Sequence, residues 1–429
     1  MRTGSPVATR IEQVRGALGE ILQWTGPADG TLSRWLRAHP RLGMRDRAEV
    51  AEAVYDVLRN LRRYRQLAES GRGNATRRLA VLGLANTLGT ADVARMLEPD
   101  EAAWLERVQR IDLETLPRAV RYSLPDWLDA ALGEMAEPES LMAALNRPAA
   151  LDIRVNPLKA ERDAVLAELV GHWEADPASG PKPEATPWSP WGIRLFGRTN
   201  LNRWSRFLDG SVEVQDEGSQ LLALLVGPRR GEMIIDFCAG AGGKTLLIGA
   251  LMRSSGRLYA FDVSQARLAR LGPRLARSGL SNVEPVTIAH ENDTRVKRLA
   301  GKAQRVLVDA PCSGTGTLRR NPDIKWRQNP EALDELCALQ ARILASAARC
   351  VAPGGRLVYA TCSLLPQENE AQAETFLTNH PDFRQLPVGG ILQGRSSIQA
   401  STDHLKLRPD VHGTDGFFAA VFERRTSET

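Results

Sequence analysis

Long hydrophobic runs are missing from this chain. No apolar stretch reaches the ~18 residues that cross a bilayer, and the start, Met1-Arg2-Thr3-Gly4-Ser5-Pro6, has no apolar signal core. No membrane association and a cytoplasmic location are therefore expected. Cysteine is scarce as well. Five thiols, an odd number without repeated spacing, argue against a disulfide framework and for reduced cysteines. Six scattered histidines and no Cys-x-x-Cys argue against a zinc site, so no metal is expected. Internal repeats and low-complexity tracts are absent too. Lysine is missing from residues 1–80, which carry 15 Arg against 8 Asp+Glu; residues 81–150 reverse the balance, with 6 Arg against 12 Asp+Glu. The planar fork of arginine suits phosphate, and the net charge of +5 favours a polyanionic partner. A solvated helix face in an arginine-preferring protein explains the same residues equally well.

With 429 residues the chain needs two or three domains. Residues 1–145 read as helices: Val50, Val54, Val57, Leu58 and Leu61 recur at helical spacing, with Arg59, Arg62, Arg63 and Arg65 between them. From 146 to 205 the pattern is that of a small α/β linker module. It holds an alternating strand at 151–156, a helix at about 160–172, a Pro-rich loop from 174 to 190 and a short strand at 192–196. From 206 to the end, near-continuous apolar strands alternate with helices. Strands are expected at 233–237, 257–261, 286–289, 305–308 and 356–360, a helix at 333–351 and a closing strand at 416–422. That alternation specifies an α/β fold with a mostly parallel sheet covered on both faces, which binds ligands at the carboxyl ends of its strands.

The residues with chemistry sit at those ends. Asp236-Phe237-Cys238-Ala239-Gly240-Ala241-Gly242-Gly243-Lys244-Thr245 leaves the first strand and opens a helix, where small residues and free N–H groups suit an anionic or carboxylate group. Its spacing fits neither a Walker A loop nor the Gly-x-Gly-x-x-Gly of dinucleotide binders. Asp262 ends the second strand and is placed either to hold a ribose or to cap the following helix. Asp293, past the third strand, is either a turn residue or an adenine contact. Three acids at three successive strand ends, beside the Gly-rich loop, favour a nucleoside-bearing cofactor.

The next two strand ends carry thiols: Asp309-Ala310-Pro311-Cys312-Ser313-Gly314 and Tyr359-Ala360-Thr361-Cys362-Ser363. A thiol that adds to C6 of a pyrimidine makes C5 a nucleophile, so this pair suggests covalent chemistry. Cys337 and Cys350, inside a helix, read as core. Between the thiols lies Leu318-Arg319-Arg320-Asn321-Pro322-Asp323-Ile324-Lys325-Trp326-Arg327. Its cations Arg319, Arg320, Lys325 and Arg327 suit phosphate, and Trp326 suits base stacking.

Together these motifs resemble the RsmB/Nop family of RNA cytosine-5 methyltransferases over residues 150–424. Val214-Gln215-Asp216-Glu217-Gly218-Ser219, Arg154-Val155-Asn156 and Asp415-Gly416-Phe417-Phe418 match as well. The N-terminal helices are similar to the NusB-like RNA-binding domain of the bacterial 16S rRNA enzymes, with Arg45-Asp46-Arg47 as the best local match.

The resemblance implies a Rossmann-like class I methyltransferase domain with a seven-stranded sheet, and S-adenosylmethionine as cofactor. Cys238, Ala239, Gly240, Ala241, Gly242, Gly243 and Lys244 would wrap its methionine part, Asp262 would hold the ribose, Asp293 the adenine, and Asp309 would lie near the reacting centre. Cys362 would be the nucleophile and Cys312 would assist product release. The implied product is 5-methylcytosine in RNA, with 16S ribosomal RNA first. A tRNA substrate, a DNA cytosine methyltransferase using Cys312, and a non-catalytic RNA-binding assembly factor remain open, and a monomer is favoured. The family's usual Cys-Ala-Ala-Pro-Gly-Gly-Lys is replaced here by Gly240 and Ala241 at its third and fourth positions. That loosens the loop but removes no donor or charge.

Overall fold

The computed structural model describes residues 6–176, 180–197, 201–398 and 403–426, so residues 177–179 of the Pro-rich loop lie outside it. The chain forms two compact units. One comprises residues 1–148 together with 317–330; the other comprises 149–316 and 331–429.

In the first unit, helices Pro6–Ile21, Met44–Arg59 and Ala75–Leu88 pack around one apolar core. Val50, Val54, Val57, Leu58 and Leu61 are fully buried in it, as their helical spacing predicts. Close packing is set by Gly83: a Cβ there would lie 2.6 Å from Val57 Cγ2 and 2.8 Å from the Ala53 carbonyl oxygen. Asn74 starts helix Ala75–Leu88 by accepting from the Arg77 N–H at 2.9 Å.

Arginines expected on an outward face are largely engaged within this unit. Arg59 is buried and donates to the Arg319 carbonyl. Arg62 bonds Leu124 O and Asp126, and Arg63 bonds Arg121 O and Asn60.

Segment 317–330 is part of this unit, and its docking corrects the nucleic-acid reading of Lys325. Lys325 is 1% exposed. Its ammonium donates to Asn146 Oδ1 at 2.5 Å and to the carbonyls of Arg59, Ser123 and Tyr122. Burial pushes its pKa well down, and Arg59 and Arg63 push the same way. Trp326 packs against the helical core and donates its indole N–H to Leu58 O at 2.8 Å. The Lys325 ammonium is therefore not presented to a phosphate, whereas Trp326 keeps a partly exposed face beside Arg62 and Arg65. The sequence showed a cation and an indole in a polar stretch, but not the carbonyl cage that receives them.

The second unit begins with a four-stranded antiparallel sheet. Its strands are β1 (Leu151–Val155), β2 (Glu184–Ala185), β3 (Gly192–Leu195) and β4 (Val212–Val214), in the order β2-β3-β1-β4. Helix Arg162–Ala175 covers it through Val165 and Leu169. Because β4 belongs to this sheet, the small module runs past the boundary expected at residue 205.

The larger sheet contains β5 (Met233–Asp236), β6 (Arg257–Asp262), β7 (Val283–Thr287), β8 (Ala303–Asp309), β9 (Val351–Thr361), β10 (Phe383–Leu386), β11 (His404–Leu407) and β12 (Phe417–Arg424). Its order is β10-β12-β9-β8-β5-β6-β7, and β11 pairs with β12 beside that path. Strands β5 to β9 pair in parallel, whereas β10, β11 and β9 each pair antiparallel with β12. This is the α/β, mostly parallel Rossmann-like architecture that the strand–helix alternation predicts. The third strand lies about three residues earlier than expected. Pro285 and its polar neighbours conceal an edge strand of mostly partly exposed residues.

Candidate active site

The parallel strands end on one cavity of about 660 Å³, lined by residues of five strand ends. The Gly-rich loop from Phe237 to Gly243 forms one wall. It turns back on itself through Gly242 N to Ala239 O at 2.8 Å, and Gly240 adopts φ +56°, a left-handed conformation that favours glycine. The glycine in place of the family's alanine thus fits the turn found here. Two arginines restrain the loop from behind: Arg274 donates to Ala241 O at 2.6 Å and Arg154 to Gly243 O at 2.9 Å. Arg274 is itself anchored on Glu213 at 3.0 Å.

Asp262 accepts from the Gly240 N–H at 2.9 Å and from the Ser264 N–H at 2.7 Å. The helix that follows is capped by Ser264, which accepts from the Arg267 N–H, so Asp262 is not the cap. Its carboxylate is held at the cavity edge with lone pairs to spare.

Asp293 is different. It caps helix Thr294–Lys297 by accepting from Arg295 N, and its other oxygen accepts from Ala289 N. It does not line the cavity; Ile288 and Glu291 do. Asp293 thus serves here as the turn residue of its alternative reading, and what separates it from Asp262 is its place off the cavity lining.

Deeper in the cavity stands Asp236, 1% exposed, with Oδ2 accepting from Thr245 at 2.6 Å and Oδ1 without a partner. Burial pushes its pKa up to about 7; the Thr245 bond opposes the shift and the Asp309 charge adds to it. Lys244 donates to Asp309 Oδ2 at 2.6 Å. Burial would push this ammonium down, but Asp309 reverses the effect, Cys362 adds to it, and the net shift is upward. Cys238 also faces the cavity. Burial and then the Asp236, Asp309 and Asp262 charges push its thiol well up.

The two motif cysteines meet here, their sulfurs 3.3 Å apart. Both are free thiols, and both line the cavity next to Asp309. The hydrogen bond to Cys362 and burial both push the Cys312 thiol well up, and the Glu368 charge adds to this. Of the RNA-contact candidates, Arg319, Arg320, Lys325, Trp326 and Arg327 all fall within the helical unit, and Arg327 pairs with Asp323 there at 3.3 Å. Sequence reasoning did not single out the loop-restraining Arg274, nor Arg267 and Glu291 on the cavity wall. None of them belongs to a motif with its own signature.

Residues 223–423 match the model of the 16S rRNA methyltransferase RsmB/F family. The probable ribosomal RNA small subunit methyltransferase B of Synechocystis sp. is 35% identical over 432 residues, covering 92% of this chain and 95% of its own. The ribosomal RNA small subunit methyltransferase B of Sodalis glossinidius is 36% identical over 336 residues, 78% of this chain and 72% of that one.

The chain belongs to the RsmB/F family.

A solved methyltransferase homologue from Pyrococcus horikoshii superposes with a TM-score of 0.60 at 27% identity, covering 73% of this chain and 100% of its own. The protein is an RNA methyltransferase of the RsmB/F type, and its cofactor is S-adenosylmethionine. The cavity fits that group on its own chemistry. Asp236 Oδ1 offers a buried, unpartnered acceptor for an ammonium, Asp262 offers oxygens for ribose hydroxyls, and no side chain lies within 4 Å of where a Gly240 Cβ would sit. Among the described residues no helix is long and apolar enough to cross a membrane, and no group of three or more His, Cys, Asp or Glu could hold a metal ion.

Proposed function

We propose that this RsmB/F protein methylates C5 of a cytosine in 16S ribosomal RNA, in the cytoplasm, through a covalent Cys362–C6 adduct. The observation that carries the reading is the Cys312–Cys362 contact beside the Lys244–Asp309 pair. Cys362 is the nucleophile. The Lys244 ammonium, kept charged by Asp309, lies close enough to interact with it, and the Cys312 sulfur is 3.3 Å from the Cys362 sulfur. The thiolate adds to C6, which makes C5 electron-rich, and Asp309 hydrogen-bonds at N3/N4 of the base. When bound, S-adenosylmethionine supplies an electrophilic methyl group to C5. The C5 proton then leaves to water, its bonding pair re-forms the C5–C6 double bond, and the C6–S bond breaks with its electrons on Cys362. Cys312 assists this departure by giving its proton to the leaving sulfur. Splitting one hard substitution into addition and elimination is nucleophilic catalysis, and it requires a base that is out of its stack.

The helical unit contributes phosphate contacts through exposed arginines such as Arg34, Arg37, Arg41 and Arg65. Its NusB-like character and its share in RNA binding are part of this proposal. The test is methyl transfer from radiolabelled S-adenosylmethionine to an unmodified 16S rRNA transcript, compared with tRNA and DNA of equal cytosine content. Transfer to rRNA alone supports the reading; transfer to tRNA or DNA alone overturns the substrate, and activity of Cys362→Ala overturns the mechanism.

A further inference from the structure

A buried carboxylate outside the cavity lining is connected to both sides of Cys312. Glu368 ends the short turn Pro366–Glu368 that follows Cys362, and it is 0% exposed. Its Oε1 accepts from the Ser313 N–H at 2.7 Å and its Oε2 from the Ser313 hydroxyl at 2.5 Å. Gln340, on helix Pro330–Cys350, donates to Glu368 Oε1 at 2.9 Å and to the Pro311 carbonyl at 3.0 Å. The residues before and after Cys312 are therefore fixed to one acid, directly or through one carboxamide. Tyr359 completes the frame by donating to the Glu368 carbonyl at 2.6 Å. The side-chain partners of the acid are an amide N–H, a hydroxyl and a carboxamide, all uncharged.

On the other side the network reaches Cys362. Ser313 Oγ and Thr315 Oγ1 lie 3.2 and 3.1 Å from Ser363 Oγ, and Asn369 donates to Ser363 O at 3.0 Å. A buried carboxylate that accepts charge-assisted hydrogen bonds is an unusually stiff anchor. An uncompensated negative charge also disfavours a second anion nearby.

We infer that Glu368 is a positioning residue for Cys312, fixing the thiol against Cys362 for the release half of the reaction. The inference rests on the proposed covalent mechanism and adds the group that separates attack from release. Atoms balance as above: the C6–S bond breaks, its electrons go to Cys362, and the Cys312 proton moves to that sulfur. Removing the Glu368 charge leaves the attacking thiol in place but loosens the proton donor.

The experiment follows the adduct between full-length protein and a 16S rRNA transcript in single turnovers, resolved on denaturing gels for wild type, Cys312→Ala and Glu368→Gln. Glu368→Gln is expected to form adduct within about threefold of the wild-type rate and to release it roughly tenfold to a hundredfold more slowly. Its KM for S-adenosylmethionine should be unchanged. The pH profile of release should move to lower pH, because Cys312 loses the neighbouring charge that holds its pKa up. Wild-type release by Glu368→Gln overturns the inference. So does equal slowing of formation and release with an unmoved pH profile, which is what a merely structural role would give. Failure of Cys312→Ala to accumulate adduct overturns the underlying mechanism instead. If Glu368→Gln does not fold, Ser313→Ala and Gln340→Met each remove one arm, and each should slow release roughly threefold to tenfold. Unchanged release in both overturns the inference.

Discussion

The sulfurs of Cys312 and Cys362 lie 3.3 Å apart although 50 residues separate them in sequence. Strands β8 and β9 run in parallel and pair Asp309 with Ala360, so the loops that leave them emerge side by side. Cys312, whose thiol is pushed up by this contact and by burial, is suited to hold a proton. Cys362, which lies close enough to Lys244 to influence its charge, is suited to attack.

That division predicts opposite phenotypes for two small substitutions. Cys312→Ala should accumulate a covalent RNA adduct that survives denaturing electrophoresis, with turnover reduced at least a hundredfold. Cys362→Ala should show neither adduct nor methyl transfer. Both variants should bind the cofactor normally, as measured by calorimetry.

Asp236 predicts a pH dependence of cofactor binding. The ordinary carboxyl titrates at 3.8, and burial raises this one to about 7 in the folded protein. The stability owed to its bound proton is therefore complete below 3.8 and lost as pH rises through about 7. A cationic ammonium at Oδ1 favours the ionised form, so affinity for S-adenosylmethionine should rise with pH up to about 7 and then level off. The slope is at most about tenfold per pH unit. Calorimetry across pH 5–8 with Asp236→Asn as control checks this; the variant should bind weakly with no slope.

The loop restraint predicts a cofactor-specific defect. Arg274→Ala removes the donor to Ala241 O and frees Glu213 from one partner. The KM for S-adenosylmethionine should rise roughly tenfold while kcat with saturating cofactor changes little, the pattern expected for lost uniform binding. A fall in kcat at unchanged KM would contradict it.

Lys325 predicts a stability effect where its charge suggests an RNA effect. Lys325→Met leaves Asn146 Oδ1 and the carbonyls of Arg59, Ser123 and Tyr122 without their donor. The cost should be roughly 2–4 kcal/mol, read as a lower Tm. The salt dependence of RNA binding should not change, because no phosphate contact is removed.

What the sequence disclosed follows from where such folds keep their chemistry. Parallel strands are apolar and continuous, so their ends could be located, and Asp236, Asp262, Asp309, Cys312 and Cys362 were visible as polar or reactive residues at those ends. All five line the cavity. Asp293 was ambiguous because capping and ligand contact ask for the same residue type at the same place; it caps helix Thr294–Lys297 and lies off the cavity lining. Lys325 was misjudged because composition reports charge but not enclosure. Glu368 was invisible: its partners Ser313 and Gln340 lie 55 and 28 residues away, and no local pattern connects them.

The central claim is that Cys362 forms the bond to the RNA base. Peptide mass spectrometry of the adduct trapped by Cys312→Ala on a 16S rRNA transcript tests it most directly. The account predicts a single cytidine-bearing peptide modified at Cys362. A modification at any other residue, or no covalent species while wild type methylates the same transcript, would contradict it.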